Sequence, residues 1–178
     1  MATINVLIAV DAAKLAQQVA DGSLKPGTKD NPTNLGSYDQ SDVYIAMITQ
    51  SGNVDNTSQG KSELEIKCNG GDTIQWAITS FTNNFDHSVF LYNGRFNPAD
   101  AMNMMSYNSS QTKNYLPAPG TGGSIGNITK YINQVVTAQA NVARVEVRIQ
   151  YFLSFQLYDN AKGSIIGYFA WDPFINVH

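Results

Sequence analysis

Asp86, His87 and Ser88 supply the three side-chain types of a hydrolytic triad, and they stand in direct succession. Neighbours in an extended segment point to opposite faces, so this order cannot align an orienting carboxylate, a base and a nucleophile. No Gly-x-Ser-x-Gly elbow occurs elsewhere. The three residues read instead as a loop-to-strand junction in which Asp86 satisfies backbone donors. No catalytic residue is expected, and the chain is not read as an enzyme. Soft-metal chemistry is limited by supply, because only His87, His178 and Cys68 are on offer, too few for zinc, copper or an iron centre. Calcium accepts looser sets of carboxylates and amides, and Asp30-Asn31 and Asn83-Asn84-Phe85-Asp86 place hard oxygen donors in loops. Asp30 and Asp86 are therefore the weak calcium candidates, weighed against the ordinary use of Asn and Asp in turns. No other cofactor is expected. In Gly120-Thr-Gly-Gly-Ser-Ile-Gly126, Ile125 stands where a dinucleotide fingerprint needs its third glycine, and no Lys-Ser or Lys-Thr closes a phosphate loop, so the run reads as a surface loop.

Elements that would hold such residues follow from composition and period. The chain has 178 residues, enough for one domain spanning 1–178 with its own core. Charged residues are only 14% against 43% hydrophobic, so the surface must be built from Asn, Gln, Ser and Thr and repels its own copies weakly. A formal net charge of −3 and a pI near 5.2 provide no positive field for phosphates, which argues against nucleic acid as a partner. The lone Cys68 cannot form an intrachain disulfide and reads as a small core hydrophobe. The opening Met1-Ala-Thr-Ile-Asn-Val-Leu-Ile-Ala-Val-Asp11 lacks a basic leader and reads as a strand, not a secretion signal. No apolar run approaches the ~20 residues of a membrane helix, so membrane insertion is not expected.

The clearest alternation runs from Ala143 to Leu157 and predicts one long strand that bends at a bulge or serves two sheets, with Phe152 as the place for the bend or for a partner subunit. Shorter alternations cover Ile4 to Val10, Leu64 to Cys68 and Ile74 to Ile78, with Asn69-Gly-Gly-Asp72 as a tight connection. Val43–Thr49, Ser88–Tyr92 and Ile165–Trp171 are more continuously apolar and predict strands covered on both faces. One short N-terminal helix is predicted, capped by Asp11, with Leu15 and Val19 on one face and Gly22 at its end. Ser23–Ser41 and Asn108–Gly126 read as long loops. The result is an all-β chain, a β-sandwich or jelly-roll-like fold with one helix. Aromatic residues such as Tyr92, Tyr107, Tyr115, Tyr158, Tyr168 and Trp171 belong to the core or to a sugar-stacking platform. Met102, Met104 and Met105 read as core or interface packing.

Three segments carry a family likeness: Asn31-Pro-Thr-Asn34; Gly71-Asp-Thr-Ile with Asn83-Asn-Phe-Asp-His-Ser-Val-Phe-Leu-Tyr92; and Gly167-Tyr-Phe-Ala-Trp-Asp-Pro-Phe-Ile175. Their order and spacing resemble the bacterial inclusion-body protein family of the PixA/AidA type over nearly the whole chain. The resemblance implies a small protein of host-associated bacteria, accumulating in some members as crystalline cytoplasmic inclusions and linked in others to colonisation or virulence. It supplies no catalytic residues. On the residues themselves, Trp171 would anchor a sheet, Pro173 would end the strand, Asp172 would accept hydrogen bonds at the corner, and Asn83, Asn84 and Asp86 would order the turn before Ser88. The alternative is that Asn83, Asn84, Asp86, Trp171 and Asp172 line a shared polar ligand pocket. Two functions follow: a non-enzymatic protein whose partner is itself, assembling into inclusions, or a carbohydrate- or host-surface-binding module, assisted by calcium, whose partners are glycans.

Overall fold

The alternation at the N-terminus becomes strand β1 (Thr3–Val10), with Ile4, Val6, Ile8 and Val10 turned inward. Asp11 ends it and caps helix α1 (Ala12–Ala20), accepting the Lys14 N–H at 3.0 Å; Leu15 enters the core and Gly22, at φ +80°, turns the chain away. The remaining strands are β2 (Thr33–Asn34), β3 (Ile45–Thr49), β4 (Val54–Asp55), β5 (Glu65–Cys68), β6 (Thr73–Ser80), β7 (His87–Asn97), β8 (Ser106–Pro119), β9 (Ile125–Asn141), β10 (Val147–Asp159), β11 (Ser164–Trp171) and β12 (Phe174–Val177). These come from a computed structural model, which describes residues 1–119 and 125–178.

The fold is all-β, in two sheets. One has the order β3-β1-β6-β9-β8; the other runs β2-β11-β10-β12-β5-β4, with β7 along the free flank of β10. β1 lies parallel to β6 and antiparallel to β3. The sheets meet through large side chains: Trp76 of β6 tilts against Tyr151 of β10 at 5.5 Å between ring centres, and Phe155, Phe169 and Trp171 pack behind them. Asn69–Asp72 is tight as expected, but it carries the chain from β5 in one sheet to β6 in the other and so is no hairpin. Asp72 organises this crossing, its two carboxylate oxygens accepting the N–H groups of Ala2 (2.7 Å) and Asn69 (3.0 Å). Burial opposes its charge, yet these bonds and the N-terminal ammonium hold its carboxyl below the usual range. Cys68 is buried, and burial, aided by the Asp72 charge, pushes its thiol up to about 12.

Several segments differ from the sequence reading. Asn108–Gly126 is not a loop: β8 and the start of β9 form a continuous antiparallel ribbon there, while Gly120–Ser124 lie outside the described residues. Among the described residues β8 pairs only with β9, and an edge strand tolerates Pro117 and Pro119 because its outer side needs no N–H donors. The strand expected over Ala143–Leu157 starts at Val147, because Glu146 takes a left-handed φ of +53° and leaves Ala143 and Val145 exposed. β10 stays in one sheet and meets β12 and then β11 on the same flank, with bulges beside Ser154/Phe155 and Leu157/Tyr158. Phe152 does not mark either bulge; it lies 5.7 Å from the Arg95 guanidinium. Within Ser23–Ser41, Thr33–Asn34 adds to β11 as a parallel strand. The three more apolar segments are covered on one face, since Ile48, Phe90 and Ile165 remain exposed.

Candidate functional site

β6 and β9 pair from Thr73 opposite Asn141 to Trp76 opposite Ala138, after which β9 leaves β6 and continues with β8. The parting strands open a wedge-shaped cleft of about 360 Å³ lined by Trp76, Ile78, Asn83, Asn84, Tyr107 and Gln134. The turn after β6 borders the cleft. Asn83 and Asn84 take left-handed φ values of +53° and +59°, which Asn tolerates better than most residues. The Asn84 side-chain oxygen accepts the N–H groups of Ser80 (3.0 Å) and Val89 (3.3 Å), while its own N–H donates to the Ser80 hydroxyl at 2.8 Å. Asn160, just after β10, clamps the same turn, its amide donating to the carbonyls of Asn84 (2.8 Å) and Phe85 (3.0 Å). This side-chain cap therefore occupies the β6 backbone at Ser80, four positions beyond its last pair with β9. Deeper in, the Trp76 indole and the Tyr151 hydroxyl lie buried beside each other with no other hydrogen-bond partner among the described residues, and burial raises the Tyr151 pKa.

The structure divides the candidate ligand residues. Asn83 and Asn84 line the cleft, and Asp86 follows them at the surface with its carbonyl accepting the Asn160 N–H at 3.2 Å. Trp171 sits opposite Leu153 and His87 opposite Asp159, six positions further along β10, which is about 20 Å of strand. Trp171 is fully buried and its indole donates to the Ser62 carbonyl at 3.0 Å. Asp172 accepts from Gln150 at 2.7 Å and from the Ser37 hydroxyl at 3.3 Å, and burial lifts its carboxyl above the usual range. No one pocket holds all five. Asp30 adjoins Lys29, whose carbonyl accepts the Tyr92 hydroxyl, whereas Asp86 lies six positions before Tyr92 along β7, again about 20 Å away. Among the described residues no three His, Cys, Asp or Glu side chains converge as a metal set. Ser88 gives its hydroxyl to Asn160 at 2.8 Å and not to His87. Of the methionine cluster, Met102 and Met105 are buried and Met104 is exposed.

The sequence reading missed the ribbon that forms one wall of the cleft. Its register sets Tyr107, Lys113 and Tyr115 of β8 beside Ile128, Lys130, Ile132 and Val136 of β9 on the face that continues inward-pointing Ala138 and Ala140. Ile128, Ile132 and Val136 are 62%, 62% and 49% exposed, so this face has no opposing layer among the described residues. The signal was masked because Lys130 and Gln134 interrupt the alternation, leaving apolar residues four apart.

A family model described as PixA, inclusion body protein, matches residues 2–177. The chain belongs to the PixA inclusion body protein family. Its PixA-type fold is also that of the crystal structure of an inclusion body protein from Burkholderia cenocepacia J2315, with a TM-score of 0.74 over 99% of this chain and 95% of that one, at 16% identity. No curated protein matches the sequence. No helix among the described residues of this PixA-family chain is long and apolar enough to cross a membrane.

Proposed function

We propose that this inclusion-body-family chain is a non-enzymatic, self-associating protein that packs into cytoplasmic inclusions of a host-associated bacterium. The observation that carries the reading is the β8–β9 ribbon, which exposes Ile128, Ile132, Val136 and Tyr115 with no layer above them among the described residues. Exposed apolar side chains gathered on one uncovered face can serve as an association surface. The sparse charge of the chain, 14% of residues, favours close approach of identical copies. Sedimentation over a rising concentration series tests it, together with electron microscopy of cells producing the protein. Growing assemblies and electron-dense bodies are expected; a chain that stays monomeric and dispersed at high concentration overturns the reading.

The cleft favours a second reading, a glycan- or host-surface-binding module. Asn83, Asn84 and Gln134 supply amides beside the ring of Tyr107, a mixture suited to sugar hydroxyls and a stacked ring face. Calcium bound near Asp30 or Asp86 would assist, and Trp171 and Asp172 would act by supporting the sheet behind the site. A glycan array run with and without calcium decides it: calcium-sensitive binding lost in Asn84→Ala supports the module, and blank arrays in both conditions remove it.

A further inference from the structure

The ribbon differs from the rest of the chain in charge as well as in exposure. Of the formal net charge of −3, the segment from Ser106 to Asn141 contributes Lys113 and Lys130 and no acidic residue, which leaves −5 on the body. Both lysines lie on the core-continuing face: Lys113 is paired with Ile132, and Lys130 with Tyr115. Each therefore stands beside an exposed apolar side chain. Two such faces brought together would place like charges against each other, whereas an acidic body offers the opposite sign. Area points to a weak contact. From Ile128 to Val136 the strand is about 30 Å long and the two-stranded ribbon about 10 Å wide, roughly 300 Å² on one face. That is well below the ~800 Å² per partner of a stable interface and within the range of weak, repeatable packing contacts.

We propose that the core-continuing face of the β8–β9 ribbon docks on the acidic body of a second copy of this chain, a ribbon-on-body contact and not ribbon-on-ribbon. The proposal rests on the self-association reading and names its donor and acceptor. The contact is heterologous: each copy keeps a free ribbon and a free body, and repetition builds an extended array. Individually weak contacts leave the chain dispersed until it accumulates.

The test uses the full chain and a ribbonless chain in which residues 109–136 are replaced by an Asn-Gly turn. No described residue in that span is buried, so the core is left intact, and circular dichroism with a melting curve checks it. Mixed with the full chain, the ribbonless chain should bind and shorten the assemblies in sedimentation while remaining monomeric alone. A ribbonless chain that assembles like the full one overturns the ribbon's role but leaves self-association standing. A full chain that ignores the ribbonless one overturns ribbon-on-body docking. A full chain that never associates overturns both readings. If the ribbonless chain fails to fold, Lys113→Glu with Lys130→Glu in the full chain takes its place. About tenfold weaker association is expected at low salt, and unchanged association counts against the proposal.

Discussion

The sandwich body and the β8–β9 ribbon are built from the same period of two, yet only one of them hides what the pattern selects. Trp76, Tyr151, Phe155, Phe169 and Trp171 are fully buried in the body, while no described residue between Tyr107 and Thr137 is buried. The two regions even share a strand: Ala138 and Ala140 of β9 are buried beside Trp76 and Ile74 of β6, and Ile132 and Val136 of the same strand face water. The difference lies in whether a second layer is present. Alternation specifies a face, and the layer that covers it can come from the same chain or from another. A two-stranded ribbon is marginal alone, so this one borrows its stability from its root in the body.

The comparison breaks most easily where the body is densest. Trp171→Ala removes a fully buried ring, its bond to the Ser62 carbonyl and its edge contact with Phe155, and should cost about 3–5 kcal/mol. In a chain of this size the melting temperature then falls by about 10 °C. A fall of only a degree or two would mean that the two sheets do not share one packed core. Next in size is the sheet crossing. Asp72→Ala abandons the N–H groups of Ala2 and Asn69 and should cost about 2–3 kcal/mol in chemical denaturation at neutral pH. Because the folded carboxyl sits below its unfolded value, its contribution is complete above about pH 4 and is lost as the pH falls through the folded pKa. The gap between the wild type and Asp72→Ala should therefore narrow in acid. A gap constant down to pH 2 would show that the carboxylate charge plays no part.

Smaller still is the turn that lines the cleft where the two regions part. Asn84→Ala loses the cap on Ser80 and Val89 and places alanine at a left-handed φ, for about 1–2 kcal/mol; Asn84→Gly should recover the backbone share. Equal melting points for the two variants would remove the backbone argument.

How much could be read in advance follows the same division. β1, the Asp11-capped helix and the inward positions of β10 from Ile149 to Leu157 were legible because burial on one face enforces alternation. The start of β10 was not, because Glu146 adopts a left-handed backbone that nothing in Ala143–Val147 announces. The ribbon was hidden by its own solvation: with both faces wet, Asn, Ser, Thr and two prolines are tolerated where a covered strand would exclude them, and the segment looks like a loop. Asn83 and Asn84 were legible as turn formers, but the cleft they line depends on where β9 departs, a tertiary fact without a local signature.

The least expected change in stability tests the ribbon most sharply. In Ile128→Ser with Ile132→Ser, two side chains already 62% exposed lose apolar surface without leaving a cavity, so the melting temperature should stay within about 2 °C of wild type. Each isoleucine covered in an assembly would bring about 1.5–3 kcal/mol if fully buried, so even partial cover lost at both positions should weaken association by more than tenfold. The pairing of outcomes carries the information. Unchanged melting with lost assembly locates the missing layer in another copy. Lowered melting with unchanged assembly would mean that the ribbon folds back on its own body in solution, and the contrast between the two regions would disappear.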